Sequence, residues 1–231
     1  MLFRSAEWRA FTAGTWSGDG IFSPRRERQS PTRLAWPAVR VNEALDDYDR
    51  MLLQQLGACS NALAKGTGAL LDVRCNYGSS ILPSVFGVKL FVMDDCYNTL
   101  PTSEPVEGGT AGIEALVAAG VPDLTRGYAP QVLEMGRRFL AAFADYPKLQ
   151  RWVRVFHPDL QGPMDVCEVL WGSGIFVELL DRPELVHQVL DLVTRTYVAF
   201  MEAWQEIVPP LEDRKSTSLK SSHRIRYRMP S

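Results

Sequence analysis

The chain has 231 residues, of which 46% are hydrophobic and 23% charged, and its formal net charge is −2. That size allows one large domain or two small ones, and the apolar fraction is ample for a buried core. The nearly balanced charge argues against nucleic acid or an anionic membrane as a partner. The sequence shows no apolar run of about 18 residues and no secretory signal, and its four cysteines form no CxxC pair. Reduced thiols in a cytoplasmic protein are therefore expected.

The first elements along the chain are an irregular arm and a long helix. Residues 1–38 are rich in Trp, Arg, Gly and Pro without sustained periodicity, which predicts an irregular arm with one short helix at most. Apolar residues then recur at helical spacing over residues 41–64, with acids in the first turn. This pattern predicts a long helix that ends at Gly66.

Two apolar runs follow, and each predicts a strand. Residues 68–75 are mostly apolar, which is typical of a strand buried on both faces of a parallel sheet. Residues 88–93 predict a second strand. Residues 99–109 read as a connector, and helices are predicted at 113–119 and 130–146.

The most informative segment is a third predicted strand and the polar loop behind it. Residues 152–157 form a short apolar run, and a Gly-Pro turn then leads to two predicted helices, 164–180 and 183–207. Alternation of strands and helices is typical of the α/β class. In barrels of this kind, the loops at the carboxyl ends of the strands surround the active site.

Two polar residues of that loop are predicted to be catalytic. His157 could act as an acid, a base or an anion contact, since its ordinary pKa lies near neutrality, or it could tie its strand end to a neighbouring loop. Asp159 could position a cation or a substrate N–H group, or cap the following turn.

Four further residues are predicted to bind the substrate. The amide of Asn76 and the phenol of Tyr77 can bind a ligand without carrying a formal charge, although Asn76 beside Gly78 also suits a tight turn. Gln161 and Asp165 could point into the same pocket, but Asp165 equally suits the first turn of a helix. No metal ligands are predicted, given the spacing of the cysteines.

Residues 212–231 differ from the rest of the chain. They show no helical or strand period and carry six basic residues against two acidic ones. They predict a disordered tail that resembles the translated read-through of a sequencing adapter, with a natural basic tail as the alternative.

Residues 36–210 resemble the N-terminal part of proteins of the uroporphyrinogen decarboxylase superfamily, which also holds the methylcobalamin:coenzyme M methyltransferases. The resemblance rests on residues 81–87, on the Gln161-Gly162-Pro163 turn and on the helix start at residues 181–194. It implies that residues 39–211 form part of a truncated (β/α)8 barrel behind the N-terminal arm. Asn76 and Tyr77 then stand in the family's substrate-reading loop.

The same resemblance implies a carboxy-lyase that acts on a small-molecule substrate, either a tetrapyrrole or another small carboxylate. In truncated form it is expected to be inactive. One alternative is a methyltransferase that works with a corrinoid protein, and another is a non-catalytic ligand-binding barrel. No cofactor is implied, except that the methyltransferases of this superfamily hold zinc through residues of the barrel's C-terminal half.

Overall fold

The computed structural model describes residues 2–18, 20–23, 29–30, 32, 34–66 and 68–210. Within these residues the chain is a helix-rich α/β protein with ten α-helices and four short strands. The predicted tail, residues 212–231, lies outside the described residues. No helix in the described part combines the length and the apolar character that crossing a membrane requires.

The N-terminal arm contains helix α1 (Leu2–Thr12), and two helices replace the single long helix predicted at residues 41–64. Helix α2 (Val41–Asp46) and helix α3 (Tyr48–Lys65) are separated by Asp47, whose backbone is extended. The Asp47 carboxylate accepts hydrogen bonds from the first free N–H groups of α3, at 2.7 and 3.1 Å. Aspartate is a preferred N-cap, so it starts a new helix here. Helix α3 ends as predicted, at Gly66 with a φ of +62°.

The central element is a parallel pair of strands, β1 (Leu71–Val73) and β4 (Val153–Val155). Leu71 lies opposite Val153 and Val73 lies opposite Val155. One more hydrogen bond, from the Phe156 N–H to the Val73 carbonyl at 2.8 Å, extends the pairing past the end of β4. Parallel neighbours need a long crossover, which residues 74–152 provide.

The strand predicted at residues 88–93 is shorter than expected and belongs to a separate hairpin. Strand β2 (Leu90–Phe91) pairs antiparallel with strand β3 (Thr102–Ser103), which lies within the predicted connector. Phe91 is 48% exposed, so this segment does not extend the buried sheet. A single 3-10 turn at Asp95–Tyr97 ends the extended run and leads the chain back into the hairpin.

Seven more helices complete the described chain. Two of them, α4 and α7, were not predicted, because each has only five or six residues and too short a periodic pattern. The helix predicted at residues 164–180 is divided in two at Gly172, whose φ of +75° is unfavourable for a continuing helix. The seven are α4 (Ile81–Val85), α5 (Thr110–Ala119), α6 (Ala129–Ala144), α7 (Pro147–Trp152), α8 (Pro163–Trp171), α9 (Ile175–Asp181) and α10 (Pro183–Ile207).

The core lies between the parallel strands and the helices. Helix α3 packs against β1, α6 packs against β4, and the long α10 packs against α6 and α8. Gly136 lets α6 and α10 approach closely, since a Cβ there would lie 2.6 Å from the Trp204 ring. Strands in parallel pairing with helices on one side are the unit that a (β/α)8 barrel repeats. The partial barrel itself stays a prediction.

Candidate functional site

The carboxyl ends of β1 and β4 meet at one edge of the parallel pair. This follows from the register, in which Val73 and Val155 are the last partners before both strands run into loops. We call residues 74–78 and 156–161, which form these loops, the strand-end site. It holds Asn76, His157 and Asp159, which were predicted to share one pocket.

The closest charged pair across the strand-end site is formed by Arg74 and Asp159. Their side chains are 41% and 46% exposed, and the Arg74 Nη1 lies 3.6 Å from the Asp159 Oδ2. The Arg74 guanidinium carbon lies 5.2 Å above the Phe156 ring centre, and its backbone N–H donates to the Gln55 Oε1 of α3 at 3.1 Å. Exposed ion pairs of this length contribute little to stability. A competing ligand could therefore take the place of Asp159 on the guanidinium.

His157 is half-buried, and its contacts include the Phe156 ring and the Pro158 carbonyl. Its ring centre lies 4.3 Å from that of Phe156, and its Nδ1 lies 2.8 Å from the carbonyl oxygen of Pro158. A carbonyl oxygen can only accept, so this contact requires the proton to be on Nδ1. The lone pair of the neutral ring is then on Nε2, the atom able to accept a proton from a substrate.

The two residues predicted to read the substrate after β1 lie in different surroundings. A hydrogen bond from the Tyr77 N–H to the Cys75 carbonyl, at 3.0 Å, turns the backbone at Asn76, which stays half-buried at the sheet edge. Tyr77 is only 1% exposed, and its ring centre lies 5.1 Å from that of Tyr128. Burial raises the pKa of its phenol. The position of Tyr77 favours core packing, and its role in substrate binding stays a prediction.

Gln161 and Asp165 lie at the far end of the second loop. Gln161 is exposed and has a φ of +53°, a left-handed conformation that is uncommon for residues other than glycine. The Asp165 Oδ2 accepts a hydrogen bond from the Gly162 N–H at 3.1 Å, at the start of α8. The structure therefore favours the alternative for Asp165, a first-turn acid that caps its helix.

The sequence prediction missed a charged surface on the sheet. Leu71 and Val73 are buried, whereas Asp72 between them is exposed, so β1 is not buried on both faces as predicted. Alternate residues of a strand point to opposite faces. The face turned away from α3 and α6 therefore carries the residues that we call the charged face: Asp72, Arg74, Arg154 and Phe156. Asp72 and Arg74 at alternate positions of the first apolar run, and Arg154 within the second, were the signal.

Burial affects the ionisable groups of this sheet. Partial burial raises the pKa of the Asp72 carboxyl, and the nearby Arg74 partly offsets that effect. Burial also lowers the pKa of the Arg154 guanidinium, and the positive charge of Arg9 from the arm lowers it further. On the other face, burial raises the pKa of the Cys75 thiol.

Metal-binding side chains are not gathered in the described part of the chain. No group of three or more His, Cys, Asp or Glu residues there could hold a metal ion. Cys59, Cys75 and Cys167 are buried separately and Cys96 is exposed, all as free thiols.

Comparison with known proteins gives a structural likeness and no sequence likeness. No protein-family model matches the sequence, and no curated protein matches it. A solved structure of a methyltransferase from Methanosarcina mazei superposes with a TM-score of 0.57 at 19% sequence identity. The match covers 89% of this chain and 56% of that one, so this chain spans just over half the length of its structural neighbour. The likeness shows a shared fold.

Proposed function

We propose that this chain belongs to a methyl-transfer enzyme whose substrate binds at the strand-end site. The observation that carries the proposal is the fold likeness to a methyltransferase, which extends over 89% of the chain. It supports methyl transfer over the carboxy-lyase activity that the sequence resemblance placed first. The methyl donor in this proposal is a corrinoid protein, and the acceptor is a small molecule with a nucleophilic atom.

The position of the site within the sheet supports the proposal. In α/β proteins, ligands bind at the carboxyl ends of parallel strands, where loops can vary while the strands hold them rigidly. Both loops of the strand-end site begin at such ends. Polar groups there are partly exposed, so a ligand can reach them, while Leu71, Val73 and Val153 of the strands are buried.

His157 is the proposed general base. Transfer of a methyl group to a thiol requires the thiol to lose its proton, and the Nε2 lone pair of His157 can accept it. The sulfur lone pair then forms a bond to the methyl carbon. The bond between that carbon and its donor breaks, and its electron pair stays on the donor. Asp159 and Arg74 orient the acceptor, because their charges line the same edge.

A single-turnover assay with the protein in excess tests this function. The protein is mixed with methylcobalamin and 2-mercaptoethanol, and the methyl thioether is measured by mass spectrometry. Parallel reactions contain S-adenosylmethionine as the donor or uroporphyrinogen III as the substrate. We expect thioether from methylcobalamin. Absence of thioether with both donors, or release of carbon dioxide from the porphyrinogen, would overturn the proposal.

Two histidine variants localise the activity. His157→Gln should lower the rate about 100-fold, within the range that loss of a general base produces. His187→Gln is the matched control, because His187 is exposed on helix α10. An equal loss in both variants would remove the assigned role of His157.

A further inference from the structure

The charged face has a composition that packing does not explain. Its two strands bury Leu71, Val73 and Val153 against the helices, as expected of a parallel pair. On the opposite side, the Arg74 guanidinium lies over the Phe156 ring, which places both residues on one face. Because alternate residues of a strand share a face, Arg154 lies on the same face, two residues before Phe156. Parallel strands are usually apolar on both faces, so these charges require another explanation.

Arg154 is the central residue of this face. It lies in register with Asp72, yet no carboxylate in the described part of the chain lies within 4.0 Å of its guanidinium. The charge that acts on the Asp72 carboxyl is that of Arg74. The charge that acts on Arg154 is the like charge of Arg9. Partial burial and the like charge of Arg9 therefore both disfavour the charged form of Arg154.

Such an arrangement is unfavourable in the absence of a negative partner. A partly buried cation loses hydration, and a neighbouring cation adds repulsion. An oxyanion would relieve both effects. The planar fork of arginine donates two parallel hydrogen bonds to a carboxylate or a phosphate group, and such charge-assisted bonds are the stronger ones in proteins.

We infer that Arg154, with Arg74 above it, binds an oxyanion group of the small-molecule substrate on the charged face. Arg154 is the main contact, because Asp159 already neutralises part of the charge of Arg74. Phe156 offers an apolar surface beside the two cations, on which a carbon skeleton can lie. Arg9 brings a third positive charge from the N-terminal arm. The inference rests on the proposed function in that it names the substrate class for the same edge of the sheet.

Isothermal titration calorimetry tests the inference without any turnover. The whole protein is titrated with succinate, with inorganic phosphate, and with neutral succinamide. We expect saturable binding of at least one of the two anions and none of succinamide. Arg154→Gln should weaken the anion about tenfold or more, as expected for loss of a charged hydrogen bond. The matched control is Arg195→Gln, because Arg195 is exposed on α10 and paired with Asp191.

Comparison of the succinate and phosphate titrations identifies the group that binds. Stronger binding of succinate assigns a carboxylate, and stronger binding of phosphate assigns a phosphoryl group. Equal binding of succinamide, absence of saturation with both anions, or equal losses in the Arg154 and Arg195 variants would overturn the inference.

A second variant keeps the test valid if Arg154→Gln does not fold. Arg154→Lys keeps the charge and removes the planar fork, so it should bind the anion more weakly than the parent while melting at a similar temperature. If it binds as tightly as the parent, the fork has no role and the inference fails. A protein that transfers methyl groups but binds neither anion contradicts this inference alone. One that binds anions through Arg154 but transfers no methyl group contradicts the proposed function alone.

Discussion

The two faces of the β1–β4 pair differ in composition. The face that packs against the helices carries Val73 and Cys75, both at 0% exposure, and Val153 at 6%. The opposite face carries Asp72 and the charged residues around it, and it remains accessible to solvent. Both faces come from the same two short segments, so the difference arises from strand alternation alone.

The two faces therefore have separate roles, one in stability and the other in ligand binding. Burial of apolar surface is the main stabilising contribution to folding, and the helix-covered face provides it. The charged face gains little from its exposed ion pair, so stability does not account for its residues. Changes on the first face should therefore alter folding, and changes on the second should alter ligand binding.

The largest expected effect belongs to the helix-covered side. Phe139 is fully buried in the core on α6, the helix that packs against β4, and Phe139→Ala should lower the free energy of unfolding by about 3–5 kcal/mol. The neighbouring Leu140 is 38% exposed on the same helix, and Leu140→Ala should cost less than about 1 kcal/mol. Chemical denaturation of both variants provides the measurement. Similar losses in the two variants would contradict the packing described for α6.

An alkaline titration tests the packing of the helical core through the buried thiol of Cys167 on α8. Burial raises the pKa of Cys167 to about 12, from an ordinary value near 9. Between these values the folded protein keeps a proton that the unfolded chain has released. The contribution of the protonated Cys167 thiol to the free energy of unfolding is therefore fully present below about pH 9, and it is lost as the pH rises towards 12. At pH 11 the loss is about 3 kcal/mol.

Cysteine variants isolate that contribution from other alkaline effects. The stability of Cys167→Ala should fall less steeply above pH 9 than that of the parent, whereas Cys96→Ala should follow the parent, since Cys96 is exposed. Parallel curves for the parent and the Cys167 variant would show that this thiol is accessible to water.

On the charged face, the substitution Asp72→Asn is expected to increase stability slightly. Burial raises the pKa of Asp72, so its charged form is disfavoured in the folded protein. Asp72→Asn should therefore raise the unfolding free energy at neutral pH, by less than about 1 kcal/mol because solvent screens an exposed carboxylate. The gain should disappear as the pH falls and Asp72 itself takes up a proton.

A matched substitution on the helical surface gives the control. Asp191→Asn breaks an i,i+4 pair with Arg195 and should lower stability by a few tenths of a kcal/mol, about 0.3–0.5. If Asp72→Asn also destabilises the protein at neutral pH, the carboxylate is held by its neighbours and the account of the charged face is wrong.

Sequence patterns were sufficient for the long elements and insufficient for the short ones. Helices α6 and α10 span four or more turns, so their apolar periodicity is unambiguous. Strands β1 and β4 were predicted in place but too long, because an apolar run does not show where pairing ends. The hairpin of β2 and β3 has only two residues per strand, and its formation depends on tertiary contacts.

The candidate site was predicted in part for a related reason. Polar residues after a strand, such as Asn76 and His157, are visible in the sequence because they interrupt an apolar run. Arg74 and Arg154 lie within the runs, and a reading based on overall apolar character treats them as strand residues. Their alternation with apolar residues was visible in the sequence, but the fold is needed to show which face of each strand packs against helices.

Hydrogen–deuterium exchange with and without methylcobalamin tests the central claim most directly, namely that methyl transfer takes place at the strand-end site. The account predicts slower exchange of residues 74–78 and 156–161 on addition of methylcobalamin, with no change at residues 187–199 of α10. Unchanged exchange throughout, or slower exchange confined to α10, would contradict it.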